Sequence, residues 1–308
     1  MSKISLYSNR DNNRVKLAAR NTLLMVVLLS IAAVSLFPLV YMLLNSFGPN
    51  VQRAGNVRSI FPSVWTLDSY TAFLGFSEYS MRWLVNSLIV AGSVTVGNVI
   101  FASAGGYAFS KLRFKGKNVL FYLILVGMMI PYQVTQVPLY ILIVRNFKLS
   151  NSYAALILPS LVSSYNIFLT KQFFQQIPNE VLESAKIDGC SQLGIFLRIV
   201  VPLSKTVLAV VAVTTFLGNW NTFFWPFLIT SEESMYTIQV GLKQFRYANT
   251  TLFGPMMAGA AISTVPMFIL FFSLQKYFLE GVTVGAEKDS GALPQYFKGM
   301  VGDRGKYT

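Results

Sequence analysis

The chain has no histidine, and its 308 residues include one cysteine, Cys190. Without histidine there is no His-based catalytic triad and no imidazole metal ligand, and a single thiol excludes an internal disulfide and any multi-cysteine metal centre. Acidic residues are scarce, 12 against 25 Lys and Arg, and charged residues of either sign make up only 12% of the chain. With 54% hydrophobic residues, this composition is too apolar for an ordinary soluble domain.

The charges are also segregated. Six stretches longer than 20 residues carry none: 21–52, 83–110, 118–144, 149–170, 206–231 and 247–275. Each is long enough for the roughly 20 helical residues that cross about 30 Å of hydrocarbon. Backbone groups find no partners in lipid, so the spanning segments are expected to be helices, and weak period-two alternation argues against a barrel. The expected fold class is therefore all-α and polytopic, with six transmembrane helices. The first window follows Arg20 like a secretory signal, but its apolar run is too long and lacks a small-x-small cleavage site, so it reads as a retained span.

The net charge of +13 does not point to nucleic acid, because Lys and Arg alternate between connections. The two tails and the segments 111–117 and 171–205 hold 18 of them, and the other three connections hold 7. The positive-inside rule puts the rich set, both termini included, in the cytoplasm.

Along the chain, the tail before span one is basic, and Asp11-Asn12-Asn13 is expected to break any helix there. Between spans one and two lie the aromatics Trp65, Tyr70, Phe73, Phe76 and Tyr79, read either as an interfacial belt or as a contact for an external partner. Span two is rich in small residues, among them Ala91, Gly97, Ala102, Gly105 and Gly106, which predicts an interior helix with closely approaching backbones. Gly116-Lys117 lacks the glycine spacing and the Ser/Thr of a phosphate-binding loop. Span three carries Pro131 and Pro138 beside Gln133, Thr135 and Gln136, the pattern of a bent helix that lines a polar path or packs against a neighbour.

Span five holds Asn219-Trp220-Asn221-Thr222-Phe223-Phe224-Trp225-Pro226. Sugars need amide partners for their hydroxyls and aromatic faces for their C–H surfaces, and two Asn and two Trp within seven residues offer both. Asn219, Trp220, Asn221, Trp225 and Gln133 are therefore the candidate substrate-pathway residues, although tryptophans near a membrane surface also serve as anchors. The segment 231–255, with Glu232, Glu233, Gln244, Arg246 and Asn249, is expected to form a small protruding external loop.

The longest polar interruption, Ile177 to Leu203, reads as two short helices joined at a glycine. Pro178 suits a first helical turn, Glu180 and Glu183 sit near the positive end of the helix dipole, and Val181, Leu182 and Ala185 make an apolar face. Gly189 fits a left-handed helix end, after which Phe196, Ile199, Val200 and Leu203 repeat with helical period until Pro202 disturbs the turn.

Here the chain resembles a family. Glu183-Ser184-Ala185, Gly189 six residues after the glutamate, and Ile199 followed by Pro202 are similar to the EAA loop of binding-protein-dependent ABC importer permeases. Ile177-Pro178, Ile187-Asp188-Gly189 and Pro202-Leu203-Ser204-Lys205 resemble the carbohydrate branch, and within it the second permease of maltose-type systems. Ser184 and Cys190 stand where alanine is usual, which keeps the residues small.

The resemblance implies a type I importer permease fold: a cytoplasmic tail over 1–21, a six-span permease domain over 22–286 with the coupling loop at 177–203, and a polar tail over 287–308. It implies that Glu183, Ser184, Ala185, Asp188 and Gly189 couple to a separate ATPase, that ATP and magnesium are bound by that ATPase, and that this chain holds no catalytic residue, metal or cofactor of its own. The implied partners are a second permease, an ATPase dimer, an extracytoplasmic solute-binding protein, a carbohydrate and the lipid of a bacterial inner membrane. The competing class is an ion-coupled secondary carrier of a polar solute. Against it, none of the 37 charged residues lies in a membrane window, so there is no carboxylate relay for protons.

Overall fold

The computed structural model describes residues 3–49, 61–62, 64–246 and 251–289, with side chains from 19 to 276 within those ranges. Asn249 and the tail from residue 290 lie outside the described residues. Among the described residues the fold is helical, with one isolated bridge between Arg246 and Thr251. The chain divides into two compact units, 1–76 with 245–262, and 77–244 with 263–308.

The first unit begins with α1 (Lys3–Ser46), which runs straight through Asp11-Asn12-Asn13 instead of breaking there. The reason is local: α1 contains no glycine and one proline, Pro38, and ordinary polar residues weaken a helix by only about 0.7 kcal/mol or less each. Its apolar stretch Ala19–Ser46 is long enough to cross a membrane, and within this unit its first two-thirds are exposed. After α1 the chain is held by side chains. Ser69 Oγ donates to the carbonyl of Gly48 at 2.8 Å, and Ser46 Oγ pairs with the Tyr70 hydroxyl at 2.8 Å. Of the aromatics read as a belt or a partner contact, Trp65 stays exposed, while Tyr70, Phe73 and Phe76 pack on Phe47 or Phe245. Phe47 meets Tyr70 and Trp65, while Phe73 on α2 (Asp68–Leu74) and Phe76 enclose Phe245 with centroids 5.7 and 4.2 Å away. A Cβ on Gly254 would come within 2.3 Å of Ser69 Oγ, so this contact requires glycine. That glycine lies near the start of α14 (Phe253–Asp289), which continues well past the expected end of span six at Tyr277.

The second unit is organised on α3 (Ser80–Lys111), the small-residue helix. It is an interior helix, as its composition predicts: Ala91, Val94, Asn98, Ala102 and Gly106 are all buried. The close approach is explicit at Gly106, where a Cβ would lie 2.4 Å from Thr170 Oγ1 and 3.0 Å from the Lys171 amide nitrogen on α7 (Ser164–Gln175). Thr170 Oγ1 reaches back to donate to the Ala102 carbonyl at 2.7 Å. Replacing Gly106 with leucine is expected to separate the two backbones at a cost of about 1–3 kcal/mol. The check is a lower thermal-aggregation midpoint in detergent.

Two amides and a hydroxyl fasten the same helices further back along α3. Asn166 Nδ2 donates to Asn98 Oδ1 at 3.0 Å and to Thr215 Oγ1 at 2.9 Å on α11 (Lys205–Trp220), and Asn98 Nδ2 donates to the Ser160 carbonyl at 2.8 Å. Polar side chains buried inside an apolar bundle must find partners in protein, and these do.

Three helices are long and apolar enough to span by themselves, Ala19–Ser46, Ser80–Lys111 and Phe253–Lys276, and three further elements are bent pairs. The span expected over 119–144 is sharply broken: α4 (Lys117–Met129) and α5 (Tyr132–Tyr140, continued as a π-helix to Asn146) meet at 95° across Ile130-Pro131. Proline at 131 has no N–H to extend α4 and disfavours helical backbone at Ile130, which is extended with ψ 119°. The fourth element bends by 43° between α6 (Tyr153–Ile157), with the short 3-10 turn Leu158–Ser160 that follows it, and α7, each segment started by a serine cap, Ser152 and Ser163.

The segment after span five does not protrude through residue 244. It lies on the first turns of α3, where Asn86 Nδ2 donates to the carbonyls of Ser234 and Tyr236, both at 2.9 Å, and Asn86 Oδ1 accepts from the Tyr153 hydroxyl at 2.6 Å. Ser87 Oγ accepts the Ile238 amide at the start of α13 (Ile238–Lys243), and a Cβ on Gly241 would fall 2.1 Å from the indole of buried Trp83.

Candidate functional site

The segment 177–203 folds as a two-helix foot. Pro178 stands immediately before α8 (Asn179–Ile187), one position earlier than the sequence pattern implies, with ψ 137°. Glu180 lies in the first turn and Lys186 in the last, each at the helix end that favours its charge. The helix stops at Gly189, φ +82°, where the Gly189 amide donates to the Lys186 carbonyl at 3.0 Å and the Cys190 amide to the Ala185 carbonyl at 2.9 Å. These two bonds form a Schellman closure, whose left-handed position glycine occupies without steric cost. Ser191 then caps the next helix by accepting the Gly194 amide at 3.1 Å. That helix runs from α9 (Gln192–Ile195) through a π-helical stretch, Phe196–Val200, into α10 (Val201–Leu203). Pro202 cannot donate to the carbonyl of Arg198, and the looser turns fall immediately before it. At Ser204 the chain turns by 78° into α11.

The foot has an inner and an outer surface. On the inner side Leu182, Ala185, Ile195 and Val200 are buried against Tyr107, Phe174 and Val207, so Ala185 serves the foot's own packing and does not face outward. This follows from helical period, since Ala185 falls three residues after Leu182. Ile195, fully buried, is an anchor that the i, i+3, i+4 reading omitted. The end of α3 is fastened to the same foot: Lys111 Nζ donates to the Ile177 carbonyl and to Asn179 Oδ1, and the Tyr107 hydroxyl donates to Gln192 Oε1 at 2.9 Å. On the outer side Glu183, Ser184, Asp188 and Gly189 are exposed, together with Ile187 at 87% and Leu193 at 65%. The outer surface thus presents two apolar projections together with the carboxylates Glu183 and Asp188 and the ammonium of Lys186, on a packed base.

The candidate substrate residues are placed apart. Trp220 is buried and its indole N–H donates to the Ser263 carbonyl at 3.1 Å, and Trp225 is buried with its N–H on the Ala155 carbonyl at 3.0 Å. Neither indole offers an open ring face, so both act here as packing anchors that fasten neighbouring helices. Asn219 is half-buried and, with Ser87, Thr222 and Thr237, borders a water-sized cavity whose apolar wall includes Val90, Leu156 and Trp225. Thr237 Oγ1 there has no hydrogen-bond partner among the described residues. Asn221 is exposed where the helix stops before α12 (Phe224–Ile229), and Gln133 is exposed on α5, whereas its neighbour Gln136 is buried. The polar residues that the sequence reading passed over are Asn98 and Asn166. Their signal was available, since an amide in the middle of a charge-free window needs a partner.

Comparison with known proteins agrees with this architecture. The family model of the binding-protein-dependent transport system inner membrane component matches residues 98–284, which include the whole foot. The arabinooligosaccharides transport system permease protein AraQ of Halalkalibacterium halodurans is 35% identical over 260 residues, 84% of this chain and 93% of that protein. The sn-glycerol-3-phosphate transport system permease protein UgpE of Yersinia pestis is 35% identical over 232 residues, 74% of this chain and 82% of its own length. A crystal structure of a bacterial ABC transporter involved in the import of the acidic polysaccharide alginate contains a chain of the same fold, with TM-score 0.74, 22% identity, and coverage of 85% of this chain and 97% of that one. With a helical bundle, a glycine-closed foot and a family match over more than half its length, the chain belongs to the binding-protein-dependent transport system inner membrane components.

Proposed function

We propose that the chain is a permease subunit of an ATP-driven importer that carries a carbohydrate, in the first place an oligosaccharide, across the bacterial cytoplasmic membrane. Family membership sets it among transport permeases and apart from ion-coupled carriers. The carbohydrate reading draws on relatives named for arabinooligosaccharides and for sn-glycerol-3-phosphate, both polyhydroxylated solutes. In this reading a second permease completes the pathway, an external binding protein delivers the solute, and a separate ATPase dimer binds ATP and magnesium. Both termini and the foot lie in the cytoplasm, in accord with the distribution of Lys and Arg.

The observation that carries the proposal is the outer surface of the foot. Ile187 and Leu193 are large apolar residues left exposed on a short polar segment outside the charge-free windows, which supports a protein contact there. Glu183 and Asp188 beside them supply a charged rim, and Gly189 closes the turn that sets the two helices. Closure of the ATPase dimer on ATP would press on this surface. Because its inner side is packed onto Tyr107, Phe174 and Val207, the displacement is handed to the helices instead of being absorbed.

Two measurements test this. Uptake of the labelled solute should depend on co-expression of the ATPase, since a secondary carrier needs none. Glu183→Lys combined with Asp188→Lys should lower uptake about tenfold or more, equivalent to about 1.4 kcal/mol of contact, with unchanged amounts of the chain in the membrane. Undiminished uptake by the double variant would count against the foot as the docking element.

A further inference from the structure

The end of α11 and the helices α12 and α13 bring together an exposed cation and two partly exposed rings. Phe223 and Phe227 stack, with centroids 5.1 Å apart and planes inclined by 17°. The ammonium of Lys243 stands 3.6 Å from the Phe227 centroid and 5.7 Å from that of Phe223. Lys243 is exposed, the two rings are 36% and 42% exposed, and among the described residues Lys243 pairs with no carboxylate. Exposed Asn221 precedes Phe223 by two residues, at the point where the helix stops.

We propose that Lys243, Phe223 and Phe227 form a docking subsite for an acidic saccharide, one whose sugar ring carries a carboxylate. The inference deepens the carbohydrate reading above and rests on it. A neutral ring does not cancel the charge it holds. A cation–π contact at an exposed site contributes about 0.5–1 kcal/mol, whereas a charge-assisted hydrogen bond to a carboxylate is stronger, and the ammonium has three N–H donors to offer. The ring contact fixes the long lysine side chain before a ligand arrives, which lowers the ordering cost of binding. The exposed parts of the phenyl rings take the C–H surface of the same sugar, and the carboxylate sits on Nζ. A neutral saccharide gains the stacking and lacks the charge.

The test is protection of Lys243. The importer, purified with its partner subunits and held in phosphatidylcholine nanodiscs without ATP, is acylated by a hydrophilic succinimidyl ester, and modification at Lys243 is followed by mass spectrometry. Trigalacturonate is expected to slow the acylation saturably, by about tenfold at ten times its midpoint concentration, because only the unoccupied fraction reacts. Maltotriose, neutral and of equal length, should leave the rate unchanged, and Phe227→Leu should shift the trigalacturonate midpoint upward. No protection by trigalacturonate, equal protection by maltotriose, or protection only when phosphatidylglycerol replaces the lipid would each overturn the proposal, the last by making this a lipid-headgroup contact. The reaction involves no nucleotide, so its outcome is independent of whether uptake proves to be ATP-dependent.

Discussion

Gly189→Val is expected to abolish most uptake, by about tenfold or more, while leaving the chain in the membrane at its usual amount. Gly189 has φ +82°, and a Cβ built there meets nothing within 4 Å, so the penalty comes from the backbone and not from a clash. A residue with a side chain in this region costs about 1–2 kcal/mol, and a β-branched one is a genuine outlier. The turn would relieve that cost by leaving the left-handed region. It would then lose the bonds from Gly189 to Lys186 and from Cys190 to Ala185 that set α9 against α8. Gly189→Asn supplies the control, because asparagine tolerates the left-handed conformation and should retain most uptake. Initial uptake rates and membrane immunoblots of the two variants decide the matter, and wild-type uptake by the valine variant would remove Gly189 from the mechanism.

Asn86→Leu is expected to produce the largest loss of stability. The side chain is fully buried and satisfies three groups at once, the carbonyls of Ser234 and Tyr236 and the hydroxyl of Tyr153. Leucine keeps the branching at Cγ but is larger and leaves all three without their partner, at about 1 kcal/mol or more for each unsatisfied, partly buried group. A total of about 3 kcal/mol or more corresponds to a fall of about 10 °C in the thermal midpoint. Ser87→Ala removes only the acceptor for the Ile238 amide and should cost about 1 kcal/mol. Size-exclusion profiles of heated, detergent-solubilised protein would measure both shifts, and equal midpoints for Asn86→Leu and the parent would contradict the clamp.

The features that were legible in the sequence are those with a local cause. The charge-free windows pointed to three single-helix spans and, counting each bent pair as one, to six, because hydrocarbon excludes charge over a fixed thickness, and Gly189 marked the helix end because glycine occupies that backbone region freely. The small residues of α3 gave an interior helix for the same kind of reason. Other features depended on where distant elements meet. Nothing local tells whether a proline bends a helix by 43° or 95°, since the angle is set by what the second half packs against. The two tryptophans of span five carry the composition of a sugar platform, yet their N–H groups are taken by carbonyls 43 and 70 residues away. Ala185 belongs to the most recognisable part of the foot, and helical period already put it on the apolar face of Leu182, but that this face packs on Tyr107 and Phe174 emerges only from where distant elements meet. Asp11-Asn12-Asn13 shows the opposite error, a local preference too weak to end a helix that has no glycine to end it.

Helix α3 is an unbroken rod of 32 residues that is gripped near both ends. At one end Lys111 and Tyr107 hold the foot, and about 37 Å away along the axis, at 1.5 Å per residue, Asn86 holds the segment that follows span five. A stiff shaft clamped in this manner has no place to dissipate a small tilt, so an angular change of a few degrees at the foot reappears at the far grip as a lateral shift of ångström size. If the foot is driven as proposed, the hydrogen bonds of Asn86 would do more than resist heat: they would be the bearing against which such a tilt becomes an opening.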